Sequence, residues 1–377
     1  MRVALVADTF SVEKGTGIAR YSREMLGGLR QQGLFVEPIT PEPPRLPFGL
    51  AINHVLRMPY SVRTKAGDFD LIHATSPITA LAFPGLDKPK VVTYHDLMSL
   101  LYRDMDNAFH ARLFAPLFFR IGKFAHKIIA ISSQTREELI QYLGMPPQKI
   151  AVVNLGISDI FEHRPGGKGR EHVIGYVGTL TRRKRLPYLV RAFGILRATH
   201  PELGAKLVLC GRRSPESDGL LRLTAELGLS HAVELKGSLP DEALVEAYNT
   251  FDVFVLPSEW EGFGLPILEA QRCAVPVIIR EDAHIPQEVS KYCLKASSEE
   301  DMAGKIYELL TNENLRQEVI AQGLEYSRQF TWERTVQETL KVYEEVLAET
   351  GVVAMSRHRR PKPPSADRWH YREEASQ

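Results

Sequence analysis

Two doubly wound α/β units facing a cleft are the fold this sequence predicts, on three observations. Apolar runs of strand length alternate with helical periods along most of the chain, the pattern of largely parallel sheets. The alternation stops at a polar, glycine-rich stretch, "HRPGGKGREH" at 163–172, and then begins again. The length, 377 residues, is more than one core comfortably fills. In such sheets ligands sit beyond the carboxyl ends of the strands.

The elements follow in order. "RVALVA" at 2–7 is a first strand, a glycine-containing loop follows, and "IARYSREMLGGLRQQG" is a helix. "LIHA" at 71, "KVVTYH" at 90, "KIIAIS" at 127 and "IAVVNLG" at 150 are further strands. After the break come "VIGYVG" at 173, "KLVLCG" at 206, "AVELKG" at 232, "DVFVLP" at 252 and "VPVIIR" at 275. From 299 the chain turns helical and ends its ordered part in "TWERTVQETLKVYEEVL", with Thr331 as N-cap. The expected division is therefore 1–163 as the first unit, 164–171 as linker and 172–330 as the second unit. Residues 331–350 form a helix returning to the first unit, and 351–377 a disordered tail.

Composition excludes several function classes. A net charge of +1 gives no electrostatic reason to expect nucleic acid. Three cysteines, Cys210, Cys273 and Cys293, lack metal-ligand spacing and suit a reducing, cytoplasmic setting. No apolar run approaches the ~18 residues of a membrane span, and no signal peptide opens the chain. Peripheral membrane contact stays open: the tail carries a basic block, Arg357 to Lys362, more often solvated than lipid-bound.

The chemistry concentrates in "PSEWEGFGLPILEAQ", 257–271, which follows the apolar run Val253 to Leu256. Gly262 and Gly264 suit a tight turn, and Pro266 suits the first helical position. The helix start, Gly264, Leu265 and Pro266, offers backbone to an anion. Glu261 and Glu269 would repel that anion unless a counter-charge is near. "GTLTRRKR", 178–185, supplies it from the same sheet edge. Arg183 and Lys184, on a loop expected to be exposed without ligand, can clamp a diphosphate against the 264–267 backbone. Glu269, in the first helical turn, can grip two ribose hydroxyls, and Glu261 then faces a transferred group on the far side. A ligand with hydroxyls at both ends and a diphosphate between them is a nucleotide sugar. Each residue alone is more often a dipole partner or a solvated charge; the joint pattern reverses that.

These motifs resemble glycosyltransferase family 4, retaining enzymes of the GT-B fold, in the branch rich in bacterial mannosyl- and rhamnosyltransferases. "EGFGLPILEA" resembles the double-glutamate motif, and "VGTLTRRKRLPYLVRAF" the phosphate loop. "GTGIARYSREML" resembles the N-terminal glycine loop, "VVTYHDL" the His-Asp segment and "KIIAISSQTREEL" the serine-containing strand end. The likeness covers about residues 1–348, motifs in order. Thr179 stands where another branch has arginine, Arg182 where proline is common, and His126 where an acid is frequent.

The resemblance implies an acceptor-binding first unit and a donor-binding second. It implies that His95 touches the transferred sugar and acts with Glu261 in catalysis. Gly17 would approach the donor phosphate or the transferred sugar, and Gly15 with Ser132 or Ser133 would line the acceptor and sugar cleft. Base contacts would come from Gly211, Arg212, Gly237 and Ser238. Transfer with retention follows, from a nucleotide-diphosphate sugar, GDP-mannose-like favoured over UDP- and dTDP-sugars, to a glycan or lipid-linked glycan. No metal or other cofactor is expected, because Arg183, Lys184 and the helix start meet the departing charge. The 109–127 run, mixing Phe and Leu with Arg and Lys, suits a core helix or a cap over a lipid-linked acceptor. The competing readings are a nucleotide-sugar epimerase, a non-catalytic assembly protein of the same fold, and a dinucleotide-dependent oxidoreductase. The last lacks G-x-G-x-x-G after the first strand.

Overall fold

The computed structural model describes residues 1–11, 17–41, 49–101, 118–166 and 171–351. Gly15, residues 109–117 of the 109–127 run, residues 167–170 of the expected linker and the tail after Gly351 lie outside the described residues.

Two six-stranded sheets carry the fold, and every strand pairing in them is parallel. The first contains β1 (Arg2–Val6), β2 (Phe35–Ile39), β3 (Leu71–Ala74), β4 (Lys90–Tyr94), β5 (Lys127–Ala130) and β6 (Ile150–Val152). The second contains β7 (Val173–Val177), β8 (Lys206–Cys210), β9 (Val233–Gly237), β10 (Val253–Leu256), β11 (Val277–Arg280) and β12 (Leu294–Ala296). Every strand expected from the sequence forms. Two were not legible: β2 carries Glu37 and Pro38 and no apolar run, and β12 is only "LKA". Both lie at sheet edges, where proline and short strands are tolerated.

The strand orders are β2-β1-β3-β4-β5-β6 and β12-β11-β10-β7-β8-β9. Each order reverses once, between β1 and β3 and between β7 and β10. Beyond the carboxyl ends at such a reversal the flanking loops diverge and leave a crevice. Central strands are buried on both faces, as "VFVL" of β10 shows residue by residue.

Two cores follow from the layers. One face of the first sheet closes its own cluster, with Ile72, Phe83, Val92, Tyr94 and Ile128. The other face, with Tyr21, Met25, Leu71, Val91 and Ile129, continues through Trp332, Val336 and Tyr343 into the core of the second sheet. The connecting element is the helix Trp332–Thr350, capped by Thr331, whose hydroxyl accepts from the Arg334 N–H at 3.2 Å. Its buried residues Thr335, Val336, Thr339, Val342, Tyr343 and Val346 recur at three- and four-residue spacing and face the first helix, β4 and β5. Lys127 of β5 holds it further by ion pairs to Glu345 (3.2 Å) and Glu349 (3.1 Å). Among the described residues no helix is long and apolar enough to cross a membrane. The three cysteines are unpaired.

Candidate active site between the two sheets

Because β10 pairs directly with β7, the loops that leave their carboxyl ends run side by side. Backbone bonds stitch them: the Glu259 N–H donates to the Arg183 carbonyl (3.0 Å), and Glu261 and Glu259 exchange bonds with His284 at 2.9 and 2.8 Å. The Arg183 guanidinium donates to the Trp260 carbonyl. Glu261 consequently sits between two cations. Its Oε1 is 2.5 Å from Lys184 Nζ, and its Oε2 is 3.0 Å from Arg183 Nη1.

Lys184 is 6 % exposed and Glu261 7 %, so the expectation of an exposed loop is corrected. Neighbouring strands bring the two loops into contact, and Leu180 and Leu186 anchor the cationic one in the core. Burial by itself would raise the Glu261 pKa. Lys184, and then Arg183, outweigh burial and hold the carboxyl at about 2. The Lys184 ammonium moves down from its usual range, because burial outweighs the attraction of Glu261 and Arg183 adds repulsion. Asp96 also faces Arg183 and Glu261, but burial pushes its carboxyl up toward the neutral form, so the balance at the two cations is positive, and the Arg183 Nε is buried without a hydrogen-bond partner. An anion arriving here meets attraction although Glu261 is beside it.

The helix Leu265–Arg272 starts from Gly264, whose φ of +101° favours glycine. Pro266 has no N–H and the Ile267 N–H bonds the Gly264 carbonyl (3.0 Å), so Gly264 and Leu265 carry the N–H groups at this end. Gly262 is glycine for another reason. A Cβ there would stand 2.7 Å from the His95 carbonyl oxygen and 3.0 Å from the Asp96 Cβ, across the cleft. Gly262→Ala is therefore expected to hold the two halves apart. The check is solution scattering together with activity: the same profile and the same rate as wild type would refute the close-approach account. Gly264→Ala should instead lose about 1–2 kcal/mol of stability through left-handed strain.

Glu269 is the fifth residue of its helix, one turn deeper than the first-turn position expected. It is 5 % exposed. Its Oε2 accepts from the Tyr248 hydroxyl at 2.9 Å, and its Oε1 lies 3.5 Å from Arg20 of the first helix. Burial pushes its pKa up; Arg20 and the Tyr248 hydrogen bond pull back, and Asp241 pushes upward again. The two acids that look alike in sequence thus differ in state: one carboxylate is held ionised by two cations, the other is buried with one cation at 3.5 Å.

From the first sheet, His95 follows β4 and is 9 % exposed. Its Nε2 is 2.9 Å from the Thr75 carbonyl, which can only accept, so Nε2 carries the proton and Nδ1 is the free acceptor. Tyr21 packs edge-on against the ring, with centroids 4.9 Å apart. Burial lowers the His95 pKa to about 4 against the Thr75 bond. His73, buried between Tyr343 (2.6 Å) and Thr93 (2.8 Å), is lowered by burial, and then by His95, to about 3. Both rings stay neutral when the unfolded chain already binds protons. Their contribution is intact above about pH 6.5 and falls as pH drops toward these values, by about 1.4 kcal/mol per pH unit for each ring. In an NMR titration from pH 8 to 5 the two rings should not move; a midpoint near 6.5 for either contradicts their burial as neutral groups.

The two serines tie the halves together. Ser132 caps the helix Ser133–Leu143, accepting from Thr135 N–H (3.1 Å), and donates to the Gly262 carbonyl (3.1 Å). The Ser133 N–H donates to Glu288 at 2.6 Å, and Gln134 Nε2 donates to the Glu261 carbonyl at 3.1 Å. Gly17 begins the first helix on the side of the cleft from which Arg20 reaches Glu269. Gly211, Arg212, Gly237 and Ser238 gather at one rim, where the Gly211 N–H donates to the Gly237 carbonyl (2.6 Å) and the Leu180 N–H to the Arg212 carbonyl (3.0 Å). Sequence reasoning missed Arg20, Tyr248, Gln134 and Glu138, the last of which accepts from Trp260 Nε1 at 3.2 Å. No local pattern marks them, because each meets its partner across the chain. Among the described residues, no group of three His, Cys, Asp or Glu could hold a metal ion.

Residues 15–159 match the family model for Glycosyltransferase Family 4, and residues 159–326 match that for Glycosyl transferases group 1. The O-antigen chain mannosyltransferase B of Escherichia coli is 27% identical over 67% of this chain and 69% of its own. A D-inositol 3-phosphate glycosyltransferase of Acidothermus cellulolyticus is 30% identical over 62% of this chain, a stretch covering only 56% of that protein. The sucrose-phosphate synthase structure from Thermosynechococcus elongatus superposes with a TM-score of 0.76 at 19% identity, over 92% of this chain and 99% of that one. At that identity the likeness is one of fold.

Proposed function

The chain belongs to glycosyltransferase family 4, a family of sugar-transferring enzymes, and from that premise we propose that it moves a hexosyl unit from a nucleoside-diphosphate sugar to a glycan or lipid-linked glycan, with retention. The observation that carries this reading is the buried Lys184–Glu261–Arg183 cluster beside the helix start at Gly264, opposite His95. It joins a positively balanced diphosphate site to a carboxylate that is already ionised. GDP-mannose is the favoured donor, which the mannosyltransferase relative supports; UDP- and dTDP-sugars come next.

In this reading Arg183, Lys184 and the Gly264 and Leu265 N–H groups hold the diphosphate, and Glu269 accepts from the ribose. Gly17 approaches the phosphates from the first half, and Gly211, Arg212, Gly237 and Ser238 border the base. As the bond from the anomeric carbon to the phosphate oxygen breaks, the cations stabilise the departing charge and Glu261 the positive charge left on the sugar. The acceptor hydroxyl attacks from the same face, and its proton passes to the leaving phosphate oxygen. His95 does not serve as the base for that proton; its Nδ1 accepts from a hydroxyl of the transferred sugar. The two cations take the place of a metal, and the chain works in the cytoplasm with peripheral contact to a membrane.

The test is a thermal-shift panel of GDP, UDP, dTDP and ADP, followed by donor-hydrolysis assays with the sugars of the base that binds. Stabilisation by GDP and slow release of mannose, with EDTA leaving the rate unchanged, support the reading. Nuclear magnetic resonance of the product reports the anomeric outcome. Stabilisation by UDP or dTDP alone moves the donor assignment; no binding by any nucleotide removes the proposal.

A further inference from the structure

Arg20 stands one turn into the first helix, on the first-sheet side, yet its guanidinium belongs to the wall of the second. Nη2 donates to Asp241 Oδ1, at the first residue of the helix Asp241–Thr250. Nη1 lies 3.5 Å from Glu269 Oε1. The Arg20 side chain is 16% exposed and that of Asp241 39%, so the contact is made at the rim of the interface. A guanidinium presents its nitrogens in a rigid fork, and here one prong is fixed by Asp241 while the other faces Glu269 without reaching hydrogen-bond distance. Glu269 Oε2 is already taken by Tyr248, so Oε1 is the oxygen a ligand hydroxyl would use.

We infer that Arg20 is a positioning residue for the donor, supplied by the opposite half: anchored on Asp241, it keeps the Glu269 carboxylate charged and aimed for the sugar hydroxyls of a nucleoside diphosphate. The inference rests on the donor reading above. Without Arg20 the groups facing Glu269 are Asp241, the Tyr248 hydroxyl and Cys273, none of them cationic. Burial, which already pushes the carboxyl up, then goes unopposed by any positive charge, and the group protonates more easily. A protonated carboxyl accepts one hydroxyl less. Donor affinity therefore depends on the two halves being closed, although the residues touching the donor at this spot lie in one of them.

The experiment measures nucleoside-diphosphate Kd by calorimetry at pH 7.5 and 5.5, using GDP, UDP and dTDP, and donor KM and kcat at pH 7.5. Arg20→Gln should weaken Kd and raise KM roughly ten- to a hundredfold, the range for losing an interaction with a charged group. Its kcat should stay within a few-fold of wild type, and its Kd should worsen further at pH 5.5 more than that of wild type. Arg20→Lys should recover most of the loss. Asp241→Asn breaks the ion pair between the halves but keeps a neutral acceptor for Arg20, leaves the Arg20 charge beside Glu269 and removes an acid that pushes that carboxyl up, so Kd should stay within a few-fold of wild type. A loss in Asp241→Asn equal to that in Arg20→Gln shows that Arg20 only fastens the interface and overturns the inference. Wild-type Kd in Arg20→Gln at both pH values, where the wild type binds, overturns it alone. A wild-type protein that binds none of the three nucleotides removes the donor reading and this inference together.

Discussion

Lys184→Ala is expected to lower transfer by roughly 30- to 1000-fold, equivalent to about 2–4 kcal/mol of lost charge stabilisation at the departing diphosphate. The same change should also destabilise the free protein. Lys184 is buried against Glu261, and removing one partner of a buried pair leaves the other charge uncompensated. Arg183 still faces the other carboxylate oxygen, so the loss should be about 3 kcal/mol, at the lower end for such pairs, and melting should fall by several degrees. Stability and rate must therefore be measured together, with rates taken well below the melting range. Near-wild-type turnover in a folded Lys184→Ala protein would sink the diphosphate assignment. An unchanged melting temperature would instead mean that the pair opens in solution.

Glu261→Gln separates charge from shape at the same point. The amide fills the same space but leaves Arg183 and Lys184 without their counter-charge. Nucleoside-diphosphate affinity should be kept or improved, since the ionised carboxylate between the two phosphate-binding cations is gone. The rate should fall by roughly a hundredfold or more, because the positive charge developing on the sugar has lost its partner. Glu269→Ala should do the reverse and chiefly raise donor KM, as a contact made equally in ground and transition states does when removed. Equal losses of affinity in both variants, or an undiminished kcat in Glu261→Gln, would show the roles to be misassigned. The pH dependence offers a second check. A carboxyl lowered from 4.5 to about 2 contributes stability that is present above about pH 4.5 and lost as pH falls through about 2. The stability gap between wild type and Glu261→Gln should hold steady from pH 8 to 5 and narrow below that.

Most of the fold was legible because its signals are local. The strand runs and the Thr331 cap each depend on neighbours within one turn or one strand. The short edge strands β2 and β12 were not legible, since an edge strand needs no continuous apolar run. The motif loops were legible as loops and Gly264 as a turn glycine, whose φ of +101° the structure supplies. The reason for Gly262 was not: it is the proximity of the His95 backbone, which no turn rule contains.

The sequence by itself determined the fold class, the order of elements, the returning helix and the two loops that meet at the candidate site, because periodicity and turn chemistry are written within short windows of the chain. Tertiary structure alone decided which charges meet and how dry they are. Lys184 and Glu261 are 77 residues apart and touch only because β10 pairs with β7, passing over β8 and β9 in the strand order. Arg20 and Asp241 are 221 residues apart and touch only because the two sheets close on each other. A carboxylate's state depends on burial and on charges a few ångströms away. Glu261 and Glu269, eight positions apart in one motif, therefore become a carboxylate held at about 2 and one pushed upward from its ordinary value.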